Sequence, residues 1–156
     1  MLRYIKYSLI SFLEYLGFVH RHRWYLNGDD ARLLFRDPSV DKRGKDHFAG
    51  VLFNTRSGSI DIGRNVMMGH NVMILAGKHK DVFENPLTVK PNIESGYDIK
   101  ISCGVWLTSG VVVTGGVTIG ENTTVLPLSV VSESLPSNCI AAGNPARFIS
   151  NKVYEE

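Results

Sequence analysis

Histidine is the residue type in this chain best suited to acid–base chemistry, and one of the five histidines lies in an unusual context. His79 follows Ala76-Gly77-Lys78 in a charged stretch that also contains Asp81 and Glu84. An imidazole with a pKa near neutrality can take a proton from a weak nucleophile, and a nearby carboxylate can orient the ring. The alternative is that His79 is a surface histidine beside two solvated acids. The secondary structure predicted around His79 bears on which interpretation is correct.

The composition limits the class of protein. The chain has 156 residues, of which 44% are apolar and 21% charged, and this fits one globular domain rather than a disordered or fibrous chain. A net charge of +2 does not predict wholesale nucleic-acid binding. Two cysteines, Cys103 and Cys139, are too few for a disulfide-dense scaffold or a four-thiolate zinc site.

A period of six residues begins at Ile62. The first position of each hexad is aliphatic or Met, and the fifth is Val, Thr or Ser. The fourth position is Gly or Asn in every hexad except the one that begins at Val125. The hexads begin at Ile62, Met68, Ile101, Leu107, Val113, Ile119 and Val125.

A strict period of six requires a short strand followed by a tight turn, because a strand alone repeats every two residues and a helix every 3.6. The first residue should point inward, the fifth should pack beside it, and the fourth should take a turn with positive φ. Three such units close one coil, and coils stack about 4.8 Å apart through parallel hydrogen bonds. The pattern predicts an all-β chain folded as a parallel β-helix of hexapeptide type. An antiparallel sandwich would show no fixed sixfold phase.

The repeat is interrupted once. The interval between Ile74 and Ile101 is not a multiple of six, so residues 77–97 are predicted to form one long external loop. Long loops on a regular scaffold are usually functional, and this one contains His79. The predicted organisation is an N-terminal helix and connector over residues 1–48, the repeat domain over 49–150 and a tail over 151–156. The polar stretch 27–48 is either a solvated connector or the ragged first turn of the coil.

Residues 2–26 form an apolar and basic segment that we expect to be helical. Glu14 interrupts the apolar run, which argues against a secretory signal and against a membrane-spanning helix. Two interpretations remain: a helix that caps the open end of the coil, or an interfacial helix that holds the protein near anionic lipid.

The hexads and three further segments resemble the hexapeptide-repeat acetyltransferases. The segments are Ala76-Gly77-Lys78-His79, Gly104-Val105-Trp106-Leu107 and Ala141-Ala142-Gly143-Asn144-Pro145-Ala146-Arg147. The galactoside, maltose and nodulation-sugar O-acetyltransferases are the branch that the chain resembles most, over residues 60–150. The resemblance implies a left-handed coil, a homotrimer with its active site between subunits, and acetyl-CoA as donor without a metal.

The resemblance also assigns roles to residues. His79 matches the family's catalytic position, which implies a general base that activates the acceptor for direct attack on the thioester, without an acyl-enzyme. The residues that match CoA contacts are Trp106, Ser109, Pro127, Ser132, Arg147 and, more weakly, Lys152. The Arg147 guanidinium suits a CoA phosphate. The alternatives are a subunit-seam aromatic for Trp106 and an intersubunit ion pair for Arg147.

The chain departs from that branch at three places. Leu126-Pro127-Leu128-Ser129 stands where the branch usually has Gly-Ala-Gly-Ser, so the CoA groove is expected to differ in shape. Glu133 stands where a basic residue is common, which would weaken one phosphate contact. The branch's acceptor-binding asparagine aligns near Ala49, and the nearest substitute is Asn54, unless Asn54 is an ordinary turn residue. Asp81 and Glu84 are further candidates for acceptor contact or for orienting the imidazole.

The predicted function is acetyl-CoA-dependent O-acetylation of a sugar or surface-glycan hydroxyl, as in polysaccharide biosynthesis. We expect a cytoplasmic protein without a nucleic-acid partner, whose residues 2–26 can contact the inner face of the membrane. N-acetylation of an amino sugar and a non-catalytic trimeric scaffold remain alternatives. A zinc lyase on the same coil would need three imidazoles around the metal, and only His70 and His79 lie in the repeat.

Overall fold

A computed structural model describes residues 25–28, 30–37, 48, 50–78 and 95–153 of the chain. Within these residues the chain forms short strands and one turn of 3₁₀ helix, Asp30–Arg32. The strands are β1 (Tyr25–Asn27), β2 (Leu33–Phe35), β3 (Leu52–Asn54), β4 (Ile60–Ile62), β5 (Met67–Met68), β6 (Met73–Leu75), β7 (Ile99–Ile101), β8 (Trp106–Leu107), β9 (Val112–Thr114), β10 (Thr118–Ile119), β11 (Thr124–Val125), β12 (Val130–Val131), β13 (Cys139–Gly143) and β14 (Ala146–Asn151).

The strands form the three faces of a prism. Face 1 consists of β1, β3, β6, β9 and β12, face 2 of β2, β4, β7 and β10, and face 3 of β5, β8, β11, β13 and β14. All pairs of these strands are parallel except the last, in which β14 runs antiparallel to β13. Because consecutive strands from β1 to β13 belong to different faces, the chain winds as the parallel β-helix that the hexads predict.

The strand register measures the coil and its interruption. Trp106 lies opposite Thr124 on the next coil, so one uninterrupted coil takes three hexads. Met67 lies opposite Trp106, and the chain between these two residues is more than twice as long as one uninterrupted coil. The excess is one long insertion, as the break in the hexad phase predicts. Residues 79–94 fall within this interval and outside the described residues.

Strand pairing extends into the stretch before the hexads. β1 pairs with β3, and Leu33 of β2 lies opposite Ile60 of β4. Strand pairing with the coil therefore begins before residue 49: Tyr25 and Leu26 lie in β1, within the segment expected to be helical, and β2 lies within the stretch 27–48. The hexad phase does not mark this part, because the offset from Leu33 to Ile60 exceeds one coil and is not a multiple of six. Residues 1–24 lie outside the described residues.

Burial and backbone conformation follow the hexad phase. First positions are buried, apart from the half-buried Met68; the buried ones include Ile62, Ile101, Leu107, Val113, Ile119 and Val125. Fifth positions after the first hexad are buried as well: Val72, Val105, Val111, Val117, Thr123 and Ser129. All fourth positions have positive φ: Asn65, Asn71, Gly104, Gly110, Gly116, Asn122 and Leu128. The inward columns thus form one apolar core along the prism axis.

Aromatic side chains fill the core where the described coils begin. The Phe35 and Phe48 rings are stacked with centroids 5.5 Å apart, and Phe53 packs edge-on against both. Aromatic ring pairs favour offset-stacked or edge-to-face geometry, so the three rings pack together at this end of the described core. No helix in the described part of the chain is long and apolar enough to cross a membrane.

Candidate active site

Two turns between face 3 and face 1 bring together residues that match CoA contacts. These turns, residues 108–111 and 126–129, lie on consecutive coils and are called the 3/1 corner. Ser109 and Pro127 are both exposed there. The Leu128 N–H donates to the Ser109 C=O at 3.1 Å, which fixes the spacing of the two turns. The corner therefore presents Ser109 and Pro127 side by side.

Trp106 lies on the outer surface of face 3, three residues before Ser109. It is in register with Met67 and Thr124 on the neighbouring strands, while the next residue, Leu107, is buried in the core. Trp106 is 44% exposed. An aromatic ring exposed beside a turn can contact a ligand or another subunit, so both interpretations of Trp106 are compatible with its position.

The 3/1 corner is tied to the closing segment by Ser129. The buried Ser129 hydroxyl donates to the Leu126 C=O at 2.7 Å and accepts from the Gly143 N–H at 3.1 Å. Gly143 ends β13, so this hydroxyl joins the turn of one coil to the end of the next. A buried hydroxyl with both roles satisfied stabilises the conformation of the turn.

The other residues that match CoA contacts lie elsewhere in the chain. Ser132 directly follows β12, and Glu133 comes next in the chain. The Arg147 guanidinium donates to Oε1 of Glu133 at 2.8 Å. This intrachain ion pair is solvated, since the two side chains are 55% and 65% exposed. The Lys152 N–H donates to the Asn138 C=O just before β13, at the opposite end of that strand from the 3/1 corner. Within one chain, the structure does not bring Lys152 to Ser109 and Pro127.

The insertion that contains His79 starts from a fixed point on the turn between face 1 and face 2, called the 1/2 corner. There the Ser57 hydroxyl accepts from the Lys78 N–H at 2.7 Å and donates to the Lys78 C=O at 2.8 Å. Lys78 Nζ lies 5.1 Å from the centroid of the Tyr97 ring. The residues that precede and follow the undescribed part of the insertion therefore meet at this corner.

Asn54 lies beside the start of the insertion. Its Oδ1 accepts from the Arg56 N–H at 3.0 Å, a bond typical of an Asx turn. Its amide lies so close to Gly77 that a Cβ on Gly77 would come within 2.5 Å of Asn54 Nδ2. Asn54 therefore makes the hydrogen bond of a turn residue beside Gly77, and its predicted contact with the acceptor stays a prediction.

His79, Asp81 and Glu84 lie outside the described residues, and their predicted roles stay predictions. Among the residues that the structure does describe, no three His, Cys, Asp or Glu side chains are grouped as metal ligands would be. His70, third in its hexad, is exposed.

Among the described residues, two carboxylates have a lowered pKa, each for a local reason. Asp98, next to Tyr97, accepts from the Ser59 hydroxyl at 2.6 Å and from the Ser59 N–H at 2.7 Å, and these bonds lower the pKa of Asp98. On face 2, the Arg36 guanidinium donates two bonds of 2.7 Å to Asp61 and lowers the pKa of that carboxyl. Both carboxylates are structural groups of the coil, and neither lies at the 3/1 corner.

The sequence pattern did not single out Ser57 and assigned no role to Leu128. Ser57 precedes the first hexad, so the six-residue repeat does not predict its contact with Lys78. Leu128 had a signal, because it is the only fourth position in the hexads that is neither Gly nor Asn.

The curated relatives of the chain are acetyltransferases. Galactoside O-acetyltransferase of Escherichia coli K12 is 36% identical over 92 residues, which are 58% of this chain and 43% of that protein. Polysialic acid O-acetyltransferase of Escherichia coli O1:K1 is 31% identical over 105 residues, 67% of this chain and 34% of that protein. The chain spans about half the length of the curated relatives it matches. No protein-family model matches the chain.

Solved structures share the fold. A hexapeptide-repeat acetyltransferase of Vibrio cholerae, complexed with acetyl-CoA, superposes with a TM-score of 0.57 at 24% identity, covering 79% of this chain and 72% of that one. A maltose O-acetyltransferase of Clostridium difficile superposes with a TM-score of 0.55 at 26% identity, covering 85% and 68%. These neighbours confirm the left-handed hexapeptide-repeat β-helix. Together with the relatives, they confirm that this chain resembles the hexapeptide-repeat acetyltransferases.

Proposed function

We propose that the protein is an acetyl-CoA-dependent O-acetyltransferase that acts on a sugar or surface-glycan hydroxyl in polysaccharide biosynthesis. The observation that carries the proposal is the 3/1 corner, where Ser109 and Pro127, with Trp106 beside them, come together from separate coils. Relatives named for O-acetylation of galactosides and of polysialic acid support a carbohydrate acceptor.

In the proposed reaction His79 is the general base. Its imidazole takes the proton of the acceptor hydroxyl as that oxygen attacks the thioester carbonyl. The tetrahedral intermediate collapses with cleavage of the C–S bond, and the imidazolium returns the proton to the CoA thiolate. The products are the acetyl ester and free CoA thiol, and no group of the enzyme is acylated. Backbone N–H groups of the coil are the proposed donors to the oxyanion.

The positions of the two corners support a site shared between subunits. The insertion leaves the coil at the 1/2 corner, whereas Ser109 and Pro127 lie at the 3/1 corner. These corners flank opposite edges of face 1, so His79 and the donor site are proposed to meet across two chains. A closed threefold ring would form three such sites in a homotrimer.

The outer surfaces of the faces differ in a way that supports this assembly. Face 1 carries an apolar column in register, Leu52, Met73, Val112 and Val130. Face 2 carries a mostly polar column, Leu34, Asp61, Lys100 and Thr118. A trimer that covers face 1 would remove its apolar column from water. Sedimentation velocity should show a particle of three chains, and Met73→Glu should dissociate it.

A thiol-release assay tests the catalytic proposal. Purified protein, acetyl-CoA and a panel of sugars should release CoA thiol, and His79→Ala should lower kcat by about 10²- to 10⁴-fold. His47→Ala is the matched control, because His47 precedes the hexads in the sequence and has no role in the proposed site, and its rate should stay at the wild-type value. An undiminished rate in His79→Ala would exclude His79 as the base.

The product separates the two acetylation chemistries. An O-acetyl ester is cleaved by hydroxylamine, whereas an N-acetyl amide on an amino sugar resists it. The non-catalytic scaffold would be favoured if the wild-type protein did not bind CoA and released no thiol with any acceptor in the panel.

We also propose a cytoplasmic location with contact between residues 2–26 and anionic lipid. The apolar and basic composition of this segment supports the proposal. Vesicles containing phosphatidylserine should co-sediment the full chain, and deletion of residues 1–20 should abolish this. Equal co-sedimentation of both proteins would refute the lipid contact.

A further inference from the structure

The turn at Leu128 has an unfavourable combination of residue type and conformation. Leu128 has φ 60°, in the left-handed region, where the Cβ of an ordinary residue comes too close to the backbone. Glycine avoids this cost and asparagine tolerates it, and all the other fourth positions of the hexads are Gly or Asn. Nothing in the turn geometry therefore favours leucine over those two residues.

The solvent exposure of Leu128 is also unfavourable for a leucine. It is 79% exposed. Its side chain does not extend straight into solvent, because a Cβ on Gly110 would lie only 2.7 Å from Leu128 Cδ2. The isobutyl group thus lies over the backbone of the preceding coil. With the exposed Pro127, it forms an apolar strip along the 3/1 corner.

Polar groups border this strip. Ser109, which precedes Gly110 in the chain, is exposed on the turn over which the Leu128 isobutyl group lies. The strip thus offers apolar surface next to a hydroxyl. A ligand that matches it needs an apolar segment adjoining hydrogen-bonding groups. In a CoA thioester, the pantetheine arm has this character, with a gem-dimethyl group next to a hydroxyl and two amides.

We propose that Leu128 is an affinity-determining contact for the pantetheine arm of the donor, an inference that rests on the proposed function. Strained backbone conformations persist where the surrounding structure holds them, and they concentrate at ligand sites. Leu128 is retained for its contact with the ligand, at the expense of the free protein's stability. Removal of the side chain should therefore weaken binding without weakening the fold.

Leu128→Asn separates these two effects, because asparagine accepts the same φ. Isothermal titration should give a Kd for CoA about tenfold higher in the variant. The Kd for adenosine 3′,5′-bisphosphate, which lacks the pantetheine arm, should stay within twofold of wild type. The Tm without ligand should be equal or higher, and Leu128→Met, which keeps an apolar chain, should retain the wild-type Kd for CoA.

Leu34→Asn is the matched control, since it makes the same replacement at a partly exposed leucine of face 2 and should leave both Kd values unchanged. An unchanged Kd for CoA in Leu128→Asn would overturn the proposal. So would a fall in Tm of more than about 3 °C, or a change of oligomeric state, because Leu128 would then serve the fold or a subunit contact. Failure of the wild-type protein to bind CoA would instead refute the proposed function.

Discussion

The hydroxyl of Ser57 holds the backbone of Lys78 through two hydrogen bonds, accepting from its N–H at 2.7 Å and donating to its C=O at 2.8 Å. Ser57 is only 3% exposed, so water competes poorly for these bonds. His79 follows Lys78 in the chain, and consecutive Cα atoms are about 3.8 Å apart. The proposed base is therefore one residue away in the chain from a backbone position that Ser57 holds on the coil.

Ser57→Ala should loosen this attachment. We expect kcat to fall by about 10- to 100-fold with the KM for acetyl-CoA unchanged, because misplacement of a base affects the chemical step more than binding at a separate corner. The free energy of unfolding should fall by about 1–3 kcal/mol. Hydrogen exchange of the Lys78 amide should become faster, which reports the lost bond independently of activity.

Ser137→Ala provides the control for this substitution. Ser137 also bonds a backbone N–H, that of Glu121 at 3.0 Å, but at a turn between faces 2 and 3. It should keep the wild-type kcat and the slow exchange of the Lys78 amide. A Ser57→Ala variant with normal kcat, in a protein that requires His79, would show that this anchor does not position the base.

The hexad phase predicted the coil because six-residue periodicity depends only on local residue types. Asn65, Gly104 and Asn122 could be assigned to turns since each tolerates positive φ. The contact between Ser57 and Lys78 could not be predicted in this way. It joins two residues across an irregular coil. Neither residue occupies a hexad position, so the repeat gives no sign that the two are in contact.

Asp98 should make the stability of the protein depend on pH in the acid range. Its pKa is lowered from the ordinary value of 3.8, chiefly by the hydrogen bonds from Ser59. A carboxyl with a depressed folded-state pKa contributes stability above its unfolded value and loses it as pH falls through the folded value. We therefore expect the fall in Tm between pH 6 and pH 3 to be smaller in Asp98→Asn than in wild type.

Ser59→Ala refines the test of Asp98. It removes the hydroxyl donor and keeps the backbone donor, so its acid dependence should lie between those of wild type and Asp98→Asn. An acid dependence in Asp98→Asn as steep as that of wild type would mean that other carboxyls control acid unfolding.

The core column of face 1 should be sensitive to truncation. Ile74 is fully buried and lies in register between Phe53 and Val113 on the neighbouring coils. Ile74→Ala leaves a cavity between two fixed strands, and we expect a loss of about 2–5 kcal/mol in the free energy of unfolding, measured by urea titration. Thr118→Ala, at an exposed outward position of face 2, should cost less than Ile74→Ala. Equal losses would contradict the assignment of inward and outward positions.

The CoA contacts could be predicted only in part, because the resemblance gives residue identities and not their surroundings. Arg147 illustrates the difference. Its residue type suits a phosphate, but its guanidinium already donates to Glu133 at 2.8 Å. The sequence alone shows an acidic residue, Glu133, where a basic residue is common. The bond between Arg147 and Glu133 could not be predicted, because it depends on where β12 and β14 place these residues.

Glu133→Gln should strengthen CoA binding if Arg147 contacts the 3′-phosphate. The carboxylate neutralises the guanidinium and would repel an incoming phosphate, so its removal leaves Arg147 free to form charged hydrogen bonds. Because the pair is exposed, the gain should be about two- to fivefold in Kd for CoA. Affinity for 3′-dephospho-CoA should not change. Glu121→Gln, which removes an exposed carboxylate between faces 2 and 3, should leave both affinities unchanged. Equal gains for CoA and 3′-dephospho-CoA in Glu133→Gln would place Arg147 away from the 3′-phosphate.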